Sequence, residues 1–253
     1  PGRGWIVANW LRFRQKIRRK PPLGRIGNLQ IAQVLLTRCS HMRKATKSVA
    51  TWFGITAGIA GLEHGYFEIL QGNKSTESLM IASIGHPCVP EKVWNACEPA
   101  LTIIPNYLVS GILSIIIGFL ILAWSAAFIQ RNRGGIILIL LSIALLLFGG
   151  GIFPPLIGIV GGLAGTRINK PLTGEQPDRS VSFGARLWPW PLAIFLAWVW
   201  GQWILGYFYN DFLQGIMVYG VLLIVIMMPL SLFAGYSKDR IVQQSHIGKP
   251  LEE

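Results

Sequence analysis

Hydrophobic residues in this sequence gather in long blocks that are separated by short polar stretches. The blocks cover about 49–70, 101–129, 134–150, 154–166, 187–209 and 212–236. A helix needs roughly 20 apolar residues to cross the ~30 Å hydrocarbon core of a bilayer, and most of the blocks approach that length. The predicted fold is therefore all-α, a polytopic integral membrane helical bundle with about six membrane segments.

The third and fourth blocks are the two halves of one apolar stretch, 134–166, with a break in its middle. The residues of the break are Gly149, Gly150, Gly151, Pro154 and Pro155. Proline removes backbone donors, and a run of glycines favours a turn over a continued helix. We therefore predict a hairpin, whose second arm is short enough to be either a tilted span or a re-entrant segment.

The distribution of basic residues supports the hairpin. Lys and Arg concentrate in cytoplasmic loops of membrane proteins. With a hairpin, twelve of the fourteen basic residues after Met42 lie on one side of the membrane, whereas a single crossing through 134–166 would leave only five on that side. The predicted topology has six segments in the cell membrane, with the N- and C-termini in the cytoplasm.

The net charge of +12 arises mainly at the start of the chain. Residues 1–41 hold nine basic residues and no acidic ones, so the remainder carries a net charge of only +3, and nucleic-acid binding is not predicted. Two interpretations of this leader stay open: sequence that is not native to the protein, or a basic arm on anionic lipid. The predicted organisation is a leader (1–41), a single transmembrane domain (42–240) and a cytoplasmic tail (241–253).

Glycines recur at helical spacing in two of the predicted segments. In the first segment they follow steps of four, three and four, which places them on one face of a helix. Such faces allow the backbones of membrane helices to approach closely, so we expect the two helices to pack against each other or against a common neighbour. The two sets are Gly54, Gly58, Gly61 and Gly65, and Gly158, Gly161, Gly162 and Gly165.

The first segment also carries three ionisable residues, Glu63, His64 and Glu68. Ionisable side chains are expensive in hydrocarbon, so they usually face the protein interior or a water path and often mark function. His64 and Glu68 are four residues apart and share a helix face, where they could exchange a proton near neutral pH. The alternatives are hydrogen bonding between helices and, for Glu68, contact with the membrane interface.

Two further features of the sequence leave alternatives open. Cys88 and Cys97 lie in the predicted external loop, where an oxidising compartment favours a disulfide over free thiols. Their spacing matches no standard zinc site, so no metal is predicted. Tryptophan and tyrosine cluster at the ends of 187–209, as in an interfacial aromatic belt. The alternative for these rings is a stacking site for a pigment, a quinone or a cation.

The sequence carries no phosphate-binding loop, nucleophile elbow or zinc-protease helix. An enzyme is therefore not favoured, and no cofactor is predicted. The predicted function is transporter- or channel-like, for a small solute or ion, with a proton-linked site in the first segment. The alternative is a non-catalytic accessory or scaffold subunit of a membrane complex. The predicted partners are the lipid bilayer and either further copies of this chain or other membrane subunits.

Overall fold

The computed structural model describes residues 43–84, 98–170 and 178–247, and 77% of them are helical. The chain divides into two units, Pro1–Met42 and Arg43–Glu253, and all described residues belong to the second. The predicted leader and the two loop cysteines, Cys88 and Cys97, lie outside the described residues. The mostly helical fold predicted from the hydrophobic pattern is confirmed.

The helices are α1 (Lys44–Gln71), α2 (Tyr107–Ala127), α3 (Gly134–Leu147), α4 (Phe153–Gly165), α5 (Arg179–Leu187), α6 (Trp190–Phe208) and α7 (Asn210–Ile247). Two short antiparallel strands, β1 (Met80–Ala82) and β2 (Pro99–Leu101), lie between α1 and α2. The hairpin break of the sequence lies between α3 and α4, and the residues that connect them, 148–152, are called the glycine turn below.

Three helical stretches in the described part of the chain are long and apolar enough to cross a membrane. They are α2, Arg179–Phe208 (which combines α5 and α6) and Asn210–Ser245. The helices α3 and α4 are apolar but shorter, and α1, which contains the three ionisable residues, is not among the three.

Two of the predicted segment boundaries differ from those of the helices. The segment predicted at 212–236 is the middle of α7, which continues to Ile247, so the residues assigned to a tail at 241–253 begin within this helix. Residues 179–186 lie outside every predicted segment but form all except the last residue of α5. Packing explains α5, because a side chain at Gly184 would meet Phe233 and Ser237 of α7 within 2.6 Å.

Glycines hold α1 tightly against α2. A methyl group at Gly65 would lie 2.7 Å from the carbonyl oxygen of Gly111, and one at Gly118 would lie 2.9 Å from that of Gly58. Each of these contacts therefore joins a glycine of α1 to a glycine of α2, with backbone against backbone. Close packing of this kind is typical of membrane helices, in which the lipid itself supplies no hydrophobic driving force between helices.

The other glycines of the two sets contact different helices. Gly54 faces Ser125 and Leu138, while Gly61 faces the side chain of Leu145. The α4 set divides between two neighbours. Gly158 lies between Ser142 of α3 and Ala57 of α1, and Gly161 lies against α1 at Phe53. Gly162 and Gly165 lie against Gly135 at the start of α3. The helix α4 therefore packs between α1 and α3.

The amino end of α1 is capped by a residue from the far end of the chain. The carboxylate of Asp239 in α7 accepts hydrogen bonds from the Ala45 N–H at 2.9 Å and the Thr46 N–H at 2.8 Å, and from the Thr46 hydroxyl at 2.7 Å. Asp239 is only 8% exposed. A negative charge at this position satisfies two backbone donors and interacts favourably with the helix dipole.

Removal of this cap has a predictable effect on stability. Replacing Asp239 with Ala should lower the free energy of unfolding by about 2 kcal/mol, because two buried N–H groups lose charged acceptors. Asp178→Ala is the matched control, since Asp178 precedes α5 without a side-chain capping bond and is exposed. Denaturant titration of the purified protein in detergent measures both variants, and equal losses would contradict the proposed cap.

Candidate functional site

The glycine turn lies directly on two of the ionisable residues of α1. A methyl group at Gly149 would lie 2.4 Å from Oε1 of Glu68, and one at Gly151 would lie 2.4 Å from Nε2 of His64. Both glycines have positive φ angles, 91° and 79°, which residues other than glycine rarely adopt. Two patterns that are far apart in the sequence, the polar residues of α1 and the interrupted apolar block, thus form one site.

Glu68 is completely buried and is held by polar groups from outside α1. The Ser83 hydroxyl, just after β1, donates a 2.9 Å hydrogen bond to Oε1 of Glu68. The Ser110 hydroxyl of α2 lies beside the carboxylate, next to Gly149. Ser110 also donates to the Phe148 carbonyl at 3.0 Å, so α2, the glycine turn and Glu68 meet at one point. Of these two hydroxyls, that of Ser83 donates to Glu68, and Oε2 of Glu68 has no hydrogen-bond partner among the described residues.

His64 lies beside an acidic residue from outside α1. Its Nε2 atom lies 3.6 Å from Oε1 of Glu98, which comes just before β2, and the imidazole is 1% exposed. No hydrogen bond joins His64 to Glu68, although the two share the buried face of α1. Within the described residues Nδ1 of His64 has no hydrogen-bond partner. The proton exchange predicted between His64 and Glu68 stays a prediction, and the structure adds Glu98 as an acidic residue beside the same imidazole.

Hydrogen bonds to α1 and to the glycine turn position the residues of the short sheet. The Gln71 side chain donates to the carbonyl oxygens of Ala82 and Ser83, at 3.2 and 3.0 Å. The N–H of Gly149 donates to the Leu101 carbonyl at 2.9 Å. Because β1 and β2 pair with each other, these bonds place Ser83 and Glu98 over the last turns of α1.

A cavity of about 280 Å³ opens beside His64, between α1 and α4 on one side and α6 and α7 on the other. Its polar part contains Glu63, His64 and Glu98, together with Thr56 and Gln202. The rest of the lining is apolar and aromatic. The residues concerned are Ile59, Ala60, Phe153, Pro154, Ile157, Val199, Trp200, Trp203, Met217, Val221 and Ile224.

Some of these residues were found by sequence reasoning and others were not. Glu63, His64 and the break residue Pro154 line the cavity, whereas Gly150 packs against Leu145 and Pro155 is buried in α4. The serines 83 and 110 carried no signal in the sequence, because single serines are common in membrane helices and loops. Across the residues that the structure describes, no group of three or more His, Cys, Asp and Glu could hold a metal ion.

No protein-family model, curated protein or solved structure matches this chain. The chemistry of the site is therefore the basis for assigning a function. A partly polar cavity that contacts a buried imidazole and two carboxylates can hold a small molecule and accept or release a proton beside it.

Proposed function

We propose that this chain is a multi-pass membrane protein with six membrane segments and cytoplasmic termini, and that it transports a small solute linked to protonation of His64. The observation that carries the proposal is the cavity beside His64 and Glu98, next to an interrupted pair of helices. Broken helices and ionisable residues at a solute cavity are common features of secondary transporters.

The proposed topology is supported by charge and by packing. Three helical stretches are long and apolar enough to cross, and six segments place twelve basic residues on one side and two on the other. The helix α1 is long enough, at roughly 42 Å for its 28 residues, to cross as well. Its polar side chains His64 and Glu68 are buried against other parts of the protein, so lipid does not contact them.

The proposed proton site is supported by the position of the imidazole. Imidazole is the side chain that ordinarily exchanges protons near neutral pH. The Glu98 carboxylate lies 3.6 Å from Nε2 of this imidazole, and the cavity brings a solute next to the same ring. A charge on His64 changes the electrostatic field at a solute bound in the cavity. Protonation of His64 and binding of the solute therefore affect each other, as coupled transport requires.

The proposal is tested by measuring charge movement after a pH jump, in proteoliposomes on a solid-supported membrane. We expect the wild-type protein to give a transient current as His64 accepts a proton within the membrane. His64→Gln should reduce this current to the level of empty liposomes, because glutamine cannot be protonated. Glu98→Gln should reduce it by about half or more, because the acidic side chain 3.6 Å from the imidazole is removed.

Glu77→Gln is the matched control for the carboxylate, because Glu77 lies in the same external stretch but is exposed and does not line the cavity. Its current should equal that of the wild type. A wild-type trace identical to that of empty liposomes would overturn the proposal and favour the accessory-subunit alternative. A full current in His64→Gln would show that the proton binds elsewhere.

A further inference from the structure

We infer that the cavity binds a small organic cation with an apolar body. The inference rests on the proposed function, since it names the class of solute that the same cavity takes. It depends on two properties of the lining, which are its acidic side chains and its aromatic rings.

The described lining contains acidic side chains. Glu63 and Glu98 both line the cavity, and its described lining residues include no Lys or Arg. Glu98 is 25% exposed, so its carboxylate can be reached from the cavity. A carboxylate that is partly removed from water is stabilised by a cation beside it, whereas an anionic solute would be repelled.

The aromatic part of the lining also suits a cation. Trp200 and Trp203 of α6 line the cavity, and their ring centroids are 5.7 Å apart at an angle of 54°. The face of a tryptophan ring carries negative electrostatic potential and attracts organic cations, most strongly away from water. The same rings pack well against the apolar groups of such a ligand. Of the alternatives left open for these aromatics, the cation therefore fits best.

The volume limits the size of the cation. At ~30 Å³ for each water, a cavity of this size holds about nine waters. A ligand of about ten non-hydrogen atoms therefore fills it, and this size lies at the lower end of ligand sites. Phenyltrimethylammonium has this size, and tert-butylbenzene has the same shape without the charge. The two molecules together separate the effect of charge from that of apolar burial.

The test is equilibrium binding of each probe to the full chain in nanodiscs, with binding to empty nanodiscs subtracted. We expect the cation to bind at least about tenfold more tightly than the neutral probe. Glu98→Gln should weaken cation binding about tenfold and leave the neutral probe unchanged. Trp203→Leu should weaken cation binding about fivefold through loss of the ring. Ala60→Trp, which fills the cavity, should abolish specific binding of both probes.

Two matched variants should bind like the wild type, Glu77→Gln and Trp190→Leu, because both side chains are exposed and neither lines the cavity. Equal affinity for the two probes, no specific binding of the cation, or no effect of Glu98→Gln would overturn the inference. The pH-jump current does not depend on either probe. A normal current without preference for the cation therefore refutes only the solute class, and cation binding without a current refutes only proton-linked transport.

Discussion

Gly149→Ala should destabilise the protein by about 3–5 kcal/mol, the largest effect that we expect from a single methyl group in this chain. Two causes act together. The φ angle of 91° is one that alanine rarely adopts, and the new Cβ would lie 2.4–2.5 Å from both carboxylate oxygens of Glu68 and from Oγ of Ser110. The buried groups around the turn are held by hydrogen bonds and cannot move aside freely. Denaturant unfolding in detergent, followed by tryptophan fluorescence, measures the loss.

Two other glycines separate these causes. Gly72 has a φ angle of 80° and a ψ angle of −166°, with nothing within 4 Å of its Cβ position, so Gly72→Ala should show the conformational cost alone, roughly 1–3 kcal/mol. Gly201, in α6, is also open but has helical geometry, so Gly201→Ala should be neutral or slightly stabilising. If Gly149→Ala lost no more stability than Gly72→Ala, the glycine turn would not be packed on Glu68.

A double-mutant cycle tests the same contact directly. Adding Glu68→Ala to Gly149→Ala removes the carboxylate that the new methyl group would meet. We expect the combined loss of stability to be smaller than the sum of the single losses by about 1 kcal/mol or more, since residues in contact are not additive. Additive losses would place Glu68 away from the turn.

The second large effect is expected at the contact between α1 and α2. Gly65→Ala should lower the free energy of unfolding by about 2–3 kcal/mol, even after the gain in helix propensity. The new Cβ would lie 2.7 Å from the Gly111 carbonyl oxygen and 3.0 Å from the Ile115 backbone nitrogen. Backbone atoms cannot rotate away as the end of a side chain can. The two helices would therefore have to move apart to remove the clash.

Gly61→Ala is the matched control, one helical turn away in the same glycine stripe. Its Cβ would lie 2.8 Å from a methyl group of Leu145, at the far end of a flexible side chain that can change rotamer. The expected loss is therefore below about 1 kcal/mol. The same unfolding titration compares the two variants. Similar losses would mean that backbone contact is not what distinguishes the two positions.

The hydrophobic pattern was sufficient to predict a mostly helical fold and a break in 134–166. Both properties are local: a run of apolar residues forms a buried or membrane helix wherever it packs, and Gly149–Pro155 interrupts a helix whatever lies beside it. The ionisable residues of α1 were also recognised from a local property. An ionisable side chain has a high free energy in an apolar environment, which indicated that these residues face protein or water. The ends of α7 and the existence of α5 were harder to predict, since tertiary contacts extend or create these helices.

What each polar residue contacts was decided only by the tertiary structure. Spacing places Glu68 on the same helix face as His64, but the partners of these residues, Ser83 and Glu98, come from the short sheet that folds back over α1. The cap of α1 comes from Asp239, almost two hundred positions along the chain. Helix periodicity describes contacts within about four residues, whereas these contacts depend on how separate elements pack. The sequence by itself therefore determined which residues are unusual for an apolar helix, and the packing of α1 against the glycine turn and the strands decided that they form one site.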